Sequence, residues 1–352
     1  MKIGIPHEIK DNEGRVALIP YAVARLSSAG HDVYLATNAG EASGYSDDSY
    51  RSIGATILPD SQSVYAKADL IVKVKEPVNE ELNWLQSHHI LFSYLHLAAN
   101  PELTQRLRDI GLTAIAFETV SEAGRLPLLA PMSEIAGRIA AQYGATLLYS
   151  AHQGRGVLLG GIAATERSQV VVIGAGMAGT QAALTCAALG ANADIFDINT
   201  DKLAQLHAIS PNISTHYAYP EQIHDAVIKA DLVIGAVLLP GARAPHIITE
   251  RTVTNMHKGS VLIDIAIDQG GCIEAIRPTS YASPYYLSHG VVHCAITNLP
   301  GAVPRTASQA LSQAILPYVL MLTETDWRNN KQLESGVNVA GGNILLEALK
   351  NT

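Results

Sequence analysis

Short apolar runs rich in β-branched residues alternate with amphipathic stretches along most of the chain, the pattern of strand and helix units wound around parallel sheets. In the first half, "KIGIP", "HDVYLAT", "DLIVKVK", "ILFSYLH" and "LTAIAFE" read as strands, with "YAVARLSSAG", "DDSYRSIG" and "PELTQRLRDIG" as helices between them. They predict one doubly wound domain. After "RLPLLAP" a helical stretch, "SEIAGRIAAQYGATLLYS", leads into the glycine-rich "QGRGVLLGG", which reads as a hinge. A second α/β series follows, with "QVVVIG", "NADIFDI", "DLVIGAV", "SVLIDIAI" and "GVVHCAI" as its strands. Finally, "RTASQALSQAILPYVLMLTET" predicts a long helix with no further strand pair behind it, a tail that crosses back to the first domain. Its stretch from Ser308 to Met321 is largely apolar, a feature that bears on assembly.

Composition narrows the function classes. The 352 residues are enough for two domains, and 48% hydrophobic with 16% charged residues describes a globular protein with large cores. A net charge of -8 without a basic tract excludes the electrostatic footprint of a nucleic-acid binder. Three cysteines, Cys186, Cys272 and Cys294, are an odd number without CxxC spacing, which fits a reducing, cytoplasmic setting. The opening "MKIGIPHEIKDNEGR" has no apolar core of a signal peptide, and no apolar run approaches the ~18 residues of a membrane span. Neither export nor a membrane partner is expected.

The clearest chemical motif is "VVVIGAGMAGTQAALTCAALGANADIFDIN". Gly174, Gly176 and Gly179 form GxGxxG between a β-branched strand and a helix, and Asp197 ends the next strand 18 residues after Gly179. Gly174 permits the tight turn, Gly176 lets backbone approach a pyrophosphate, Gly179 allows close packing, and the helix N-terminus attracts the phosphates. Asp197 can accept from a ribose 2′-hydroxyl but repels a 2′-phosphate, and Ile198 stands where an NADP site often has arginine. NAD is the expected cofactor.

Ligands of doubly wound folds sit beyond the carboxyl ends of the strands. Lys75, His96, Glu118 and Asp268 fall at such ends, and Arg15 lies in the loop after the first strand. Each alone also reads as a solvated strand end, a surface arginine or a core histidine. Together near a nicotinamide they suffice for a small 2-oxo or 2-amino acid: the cations hold a carboxylate, and the histidine and aspartate handle protons. "HGVVHC" places His289, His293 and Cys294 close together, but no second ligand group of metal spacing accompanies them, and strand packing is the expected role; no metal is predicted.

Several longer stretches, "RVALIP", "ADLIVKVKEP", "LFSYLHLAA", "RLPLLAPMSEIAGR", "GRGVLLGG", "DLVIGAVLLPGARAP", "LIDIAIDQGG" and "NLPGAVPRTASQAL", resemble in order and spacing the L-alanine dehydrogenase family, and the likeness continues to "GVNVAGGNILLEAL". The resemblance implies a fold of two doubly wound domains, in which a Rossmann NAD-binding domain (129–303) is inserted into a flavodoxin-like or Rossmann-like catalytic domain (1–128 plus 304–352). It implies reversible, NAD-dependent deamination of L-alanine to pyruvate and ammonia, and a homohexamer. Residue by residue, it makes Arg15 and Lys75 the carboxylate-binding pair, His96 the acid/base group and Asp268 a second catalytic residue, which accounts for a histidine at the end of "ILFSYLH". Met132 and Asn298 match positions around substrate and nicotinamide, where packing and turn roles remain open. Ser133, Lys202, Val237 and Leu238 match nucleotide contacts, with a helix N-cap, a solvated lysine and core packing as the alternatives.

The chain departs from the family pattern in places. "GGIAATERSQ" is shorter and lacks the usual prolines, His7 replaces a frequent lysine, and "GAGMAG" replaces the common "GGGVVG" while keeping the required glycines. The implied reaction moves a hydride from the alanine Cα, leaving an imine that water attacks before ammonia departs. His96 and Asp268 suit the proton transfers. Two other readings stand beside it: the soluble nucleotide-binding part of a proton-translocating transhydrogenase, and a non-catalytic NAD-binding protein.

Overall fold

The computed structural model describes residues 1–237, 245–274 and 276–350. Leu238, expected at the nucleotide, lies outside the described residues. In chain order the elements are β1 (Lys2–Ile5), α1 (Pro20–Ser28), β2 (Asp32–Ala36), α2 (Asp47–Arg51), β3 (Thr56–Leu58), α3 (Ser61–Lys67), β4 (Leu70–Val72), α4 (Glu81–Trp84), β5 (Ile90–Ser93), α5 (Pro101–Ile110) and β6 (Thr113–Ala116). They continue with α6 (Ala130–Leu147), β7 (Gln169–Ile173), α7 (Met177–Ala188), β8 (Asn192–Asp197), α8 (Thr200–His207), β9 (Ile213–Tyr217), α9 (Pro220–Val227), β10 (Leu232–Gly235), α10 (Glu250–Thr254) and β11 (Val261–Asp264). Last come β12 (Tyr286–Ser288), β13 (Val291–Cys294), α11 (Pro304–Leu322), α12 (Lys331–Gly336), β14 (Val337–Ala340) and β15 (Asn343–Ile344).

The chain forms two compact units, Met1–Met132 with Pro300–Thr352, and Ser133–Leu299. Among the described residues, the sheet of the first unit runs β15-β14-β6-β5-β4-β1-β2-β3, and that of the second runs β12-β13-β11-β10-β7-β8-β9. Pairing is parallel except at β14, β15 and β12. Of the two wound orders expected, both units adopt the Rossmann one. The first has its switch point at β1, between β2 and β4, and the second at β7, between β8 and β10. In open wound sheets, ligands bind at such points.

Strands covered on both faces read as continuous apolar runs. Val170, Val171, Val172 and Ile173 of β7 are all at most 2% exposed, each burial stabilising the unit by roughly 1.5–3 kcal/mol. Helix α11 starts on Pro304 at a position that needs no N–H donor. It buries Ala307, Leu311, Ile315, Val319 and Leu322, and the hydroxyls of Ser308 and Ser312 accept from the N–H groups of Val16 and Ile19 at 2.9 and 3.0 Å. The tail therefore returns to the first unit and braces the loop that carries Arg15. Most of its apolar stripe is buried there, while Leu316, Leu320 and Met321 stay partly exposed.

Three further expectations change. A strand pair does follow the long helix: β14 joins β6, and β15 turns back across Gly341 and Gly342, both at positive φ (54° and 78°). Strands β3, β9 and β12 were not expected either; β3 and β12 have three residues each, and "ISTHY" of β9 is too polar to show a buried-strand pattern. The segment "QGRGVLLGG" is no hinge between the units. It lies within the second unit, with Leu159 buried, and a Cβ on Gly154 or Gly160 would sit 2.1 Å from the carbonyl oxygen of Leu147 or Leu189. Among the described residues, no helix is long and apolar enough to cross a membrane.

Candidate active site

At the carboxyl edge of the first sheet, charged groups are buried against one another. Arg15 is 2% exposed. Its Nε donates to Glu13 Oε1 at 2.7 Å, its second terminal nitrogen pairs with Glu13 Oε2, and the first reaches Met132 Sδ at 3.1 Å. Burial opposes the charge of Arg15, but Glu13 more than offsets it and holds the guanidinium above its ordinary pKa. Such a planar, fixed cation suits a carboxylate.

Lys75 follows β4 and is also buried. Burial would raise the pKa of the adjacent Glu76, yet Lys75, Lys10 and His96 pull it below its ordinary value, and Lys10 forms an ion pair with it. Deeper in, Lys73 Nζ lies 2.8 Å from Glu81, which also accepts from the Tyr65 hydroxyl at 3.0 Å.

His96 lies beyond β5 with φ 49°, a left-handed conformation uncommon outside glycine, and caps the short 3-10 helix Leu97–Ala99. Glu118, beyond β6, holds that turn: it accepts from the His96 N–H at 2.6 Å and from the Leu95 N–H at 3.2 Å. The His96 ring lies nearly parallel to Tyr94, 8° between planes and 6.0 Å between centroids. Tyr94 is fixed by its hydroxyl on the Leu128 carbonyl at 2.6 Å, and burial raises its pKa. The first unit thus gathers Arg15, Lys75, His96 and Met132, with Glu118, at one edge.

In the second unit the glycines behave as the motif requires. Gly174 has φ 101°, and a Cβ there would meet the Ala236 carbonyl at 2.7 Å; a Cβ on Gly179 would meet the Gly174 carbonyl at 1.8 Å. A Cβ on Gly176 would meet nothing within 4 Å, which leaves open space in front of the N-terminus of α7. That space before a helix N-terminus, with a carboxylate on the next strand, fits the pyrophosphate and ribose of a dinucleotide. Asp197 Oδ2 accepts from the Ala175 N–H at 2.6 Å and Oδ1 from the Asn199 N–H at 2.8 Å, so it also braces the glycine loop. Asn199 caps α8 by accepting from Lys202 N–H at 3.1 Å; the Lys202 side chain is exposed. Val237 packs against the core beside Gly174. Ser133 sits inside α6, not at its N-cap, and close by Gly137 would place a Cβ 2.1 Å from the Ala178 carbonyl.

Asp268 occupies the 3-10 helix Ile265–Gln269, and its Oδ2 accepts from the Asn298 N–H at 3.4 Å; Asn298 too is left-handed, φ 62°. The loop is held by Asp264, a fully buried carboxylate missed in the sequence. It accepts from the N–H groups of Ala266, Cys272 and Ile273 at 2.9, 2.8 and 3.1 Å, and burial raises its pKa despite those bonds. An acid inside "VLIDIAI" was the available signal. Glu8, Glu13, Lys73 and Glu81 were likewise overlooked; Lys73, set within the apolar "LIVKV", was the most legible of them. His289 pairs with Glu250, while His293 and Cys294 are buried in β13; among the described residues, no three His, Cys, Asp or Glu side chains could hold a metal together.

Family models described as "Alanine dehydrogenase/PNT, N-terminal domain" and "Alanine dehydrogenase/PNT, C-terminal domain" match residues 4–136 and 140–347. The chain is 48% identical to an alanine dehydrogenase of Bacillus subtilis (strain 168), covering 99% of this chain and 94% of that one. It is 47% identical to an alanine dehydrogenase of Mycobacterium tuberculosis (strain H37Rv), covering 99% and 95%. A solved L-alanine dehydrogenase superposes with a TM-score of 0.93 at 44% identity, covering 100% of this chain and 98% of that one. A transhydrogenase from Sinorhizobium meliloti superposes at 0.81 with 25% identity, covering 99% and 100%. The fold, both family models and these full-length relatives lead to one conclusion: the chain belongs to the alanine dehydrogenase/PNT family.

Proposed function

We propose that this protein is an NAD-dependent amino-acid dehydrogenase that reversibly converts L-alanine to pyruvate and ammonia. The observation that carries the reading is the joint presence of a buried cation and histidine cluster suited to a small carboxylate and a glycine loop suited to a dinucleotide. NAD, when bound, supplies the hydride acceptor. Gly174, Gly176, Gly179 and the N-terminus of α7 would hold its pyrophosphate, and Asp197 its adenosine ribose, with Ser133, Lys202, Val237 and Leu238 as further contacts.

Arg15 and Lys75 bind the alanine carboxylate, and Met132, against Arg15, walls the site. His96 moves the protons. Its Nδ1 stands 4.0 Å from Glu118 Oε1, which leaves Nε2 as the atom that exchanges a proton with the attacking water and the departing amine. Asp268 is the second catalytic group, and its bond to Asn298 supports an orienting role for both. The relatives at 47–48% identity favour this reading over a transhydrogenase component, and the intact ionisable cluster favours it over a binding protein without catalysis.

Three free, buried cysteines, with Cys186 and Cys294 pushed up to about 12 by burial, fit a reducing cytoplasm. The family resemblance supports a homohexamer, which light scattering at micromolar concentration tests. The deciding assay records NADH formed from L-alanine and NAD at alkaline pH; no alanine-dependent NADH from folded protein refutes the reading.

A further inference from the structure

Glu8 lies in the loop after β1, is 6% exposed and has no part in the reaction above. Its carboxylate faces the end of β4, where one oxygen accepts from the Val74 N–H at 2.5 Å and the other from the Lys75 N–H at 3.3 Å. Lys73 Nζ stands 3.6 Å from that second oxygen. The remaining charged and titratable groups facing it are Glu13 and Arg15 from its own loop, Glu81 from α4 and Tyr65 from α3. A buried carboxylate persists only when its oxygens are bonded, and here those bonds end on the backbone from which Lys75 projects.

Resting on the reading that Arg15 and Lys75 take the substrate carboxylate, we infer that Glu8 is a positioning residue: it fixes the Val74–Lys75 backbone and takes up a proton when that carboxylate docks. The arriving anion adds negative potential to a loop already crowded by Glu13 and Glu81. Burial, partly countered by Lys73 and reinforced by Glu13, already pushes Glu8 up to about 7, so a small added potential suffices to protonate it near neutrality. A protonated carboxyl still has lone pairs for backbone N–H groups, so the turn survives the uptake.

The test uses the full-length protein and Glu8→Gln, which keeps the shape and one acceptor oxygen but cannot ionise. Its KM for pyruvate should rise about tenfold, more than kcat falls, as expected for a weakened charged hydrogen bond, with NADH affinity unchanged. Calorimetric titration of pyruvate into the NADH-loaded protein at pH 8 without ammonia, in phosphate and in Tris, counts protons. Wild type should take up a fraction of a proton, His96→Ala should retain this uptake, and Glu8→Gln should lose it. No uptake by wild type, or uptake lost with His96 and kept in Glu8→Gln, overturns the inference. Should Glu8→Gln not fold, wild type and His96→Ala decide the matter by the same count. Failure of wild type to bind pyruvate at all would instead remove the substrate reading, and this inference with it.

Discussion

The backbone N–H of His96 and its imidazole Nδ1 both face one carboxylate oxygen, Glu118 Oε1, at 2.6 and 4.0 Å. Glu118 thereby fixes the left-handed turn from which the ring projects. Glu118→Ala should lower kcat/KM for alanine about 10- to 100-fold, the scale of a lost charged hydrogen bond, with NADH affinity unchanged. Glu118→Gln, which keeps an acceptor for the N–H groups, should fall between. Steady-state kinetics on the two variants check this, and equal activity of Glu118→Ala and wild type would sink it.

His96 itself should behave as a proton-transfer group and not as a packing residue. His96→Ala is expected to lose about 10²–10⁴-fold in turnover while retaining NADH binding and a near-normal melting temperature. His96→Gly should be as inactive yet somewhat more stable than His96→Ala, because glycine adopts φ 49° at lower cost than alanine. A stable His96→Ala protein with near-normal kcat would overturn the assignment.

These residues also show what the sequence made legible. His96, Lys75 and Glu118 stood out as candidates because each ends an apolar run, and the structure does place them beyond strand ends. The second unit was more legible, since the spacing of Gly174, Gly176, Gly179 and Asp197 encodes its geometry. Less visible were the partners that hold these groups: Glu8 acts through backbone N–H groups distant in sequence, Glu13 through the Arg15 side chain, and Asp264 through a loop conformation that no periodicity records. Strand β14 was missed because "VNVA" sets the buried polar Asn338 among its apolar residues, and β15 because two residues carry no pattern, although Gly341-Gly342 was a hairpin signal. The supposed hinge failed for a related reason. Glycine-rich sequence signals either mobility or close packing, and at Gly154 and Gly160 the structure shows the latter.

Gly176 and Gly179 separate binding from folding. A methyl group on Gly179 collides with the Gly174 carbonyl at 1.8 Å, whereas one on Gly176 meets open space. Gly179→Ala should therefore lower both the melting temperature and NADH affinity. Gly176→Ala should melt like wild type but bind NADH weakly, because the methyl occupies the approach of the pyrophosphate. Thermal melts and NADH fluorescence titrations on the pair test this, and tight NADH binding by Gly176→Ala would contradict it.

Asp197 should set cofactor choice. A carboxylate in reach of the adenosine ribose repels a 2′-phosphate, so NAD should be strongly preferred over NADP, and Asp197→Ala should narrow the gap. Because Asp197 also holds the Ala175 N–H at 2.6 Å, the variant should bind NAD itself less well. Equal kcat/KM for both cofactors in the wild-type protein would refute the assignment.

The raised pKa of Glu8 makes a separate prediction about stability. In the unfolded chain this carboxyl loses its proton near its ordinary value of 4.5, while in the folded protein it holds the proton up to about 7. Between these values the folded state binds the extra proton, so the contribution of Glu8 to stability declines as pH rises from about 4.5 to 7 and stays low above that range. Glu8→Gln stays neutral throughout and lacks this decline. Relative to the variant, wild type should therefore be more stable at pH 5 than at pH 8, with a change on the order of 1–3 kcal/mol between the two. Denaturant titrations of both proteins at the two pH values measure the difference directly. A constant difference, or one that grows in favour of wild type as pH rises, would mean that Glu8 is ionised at pH 5 in the folded protein.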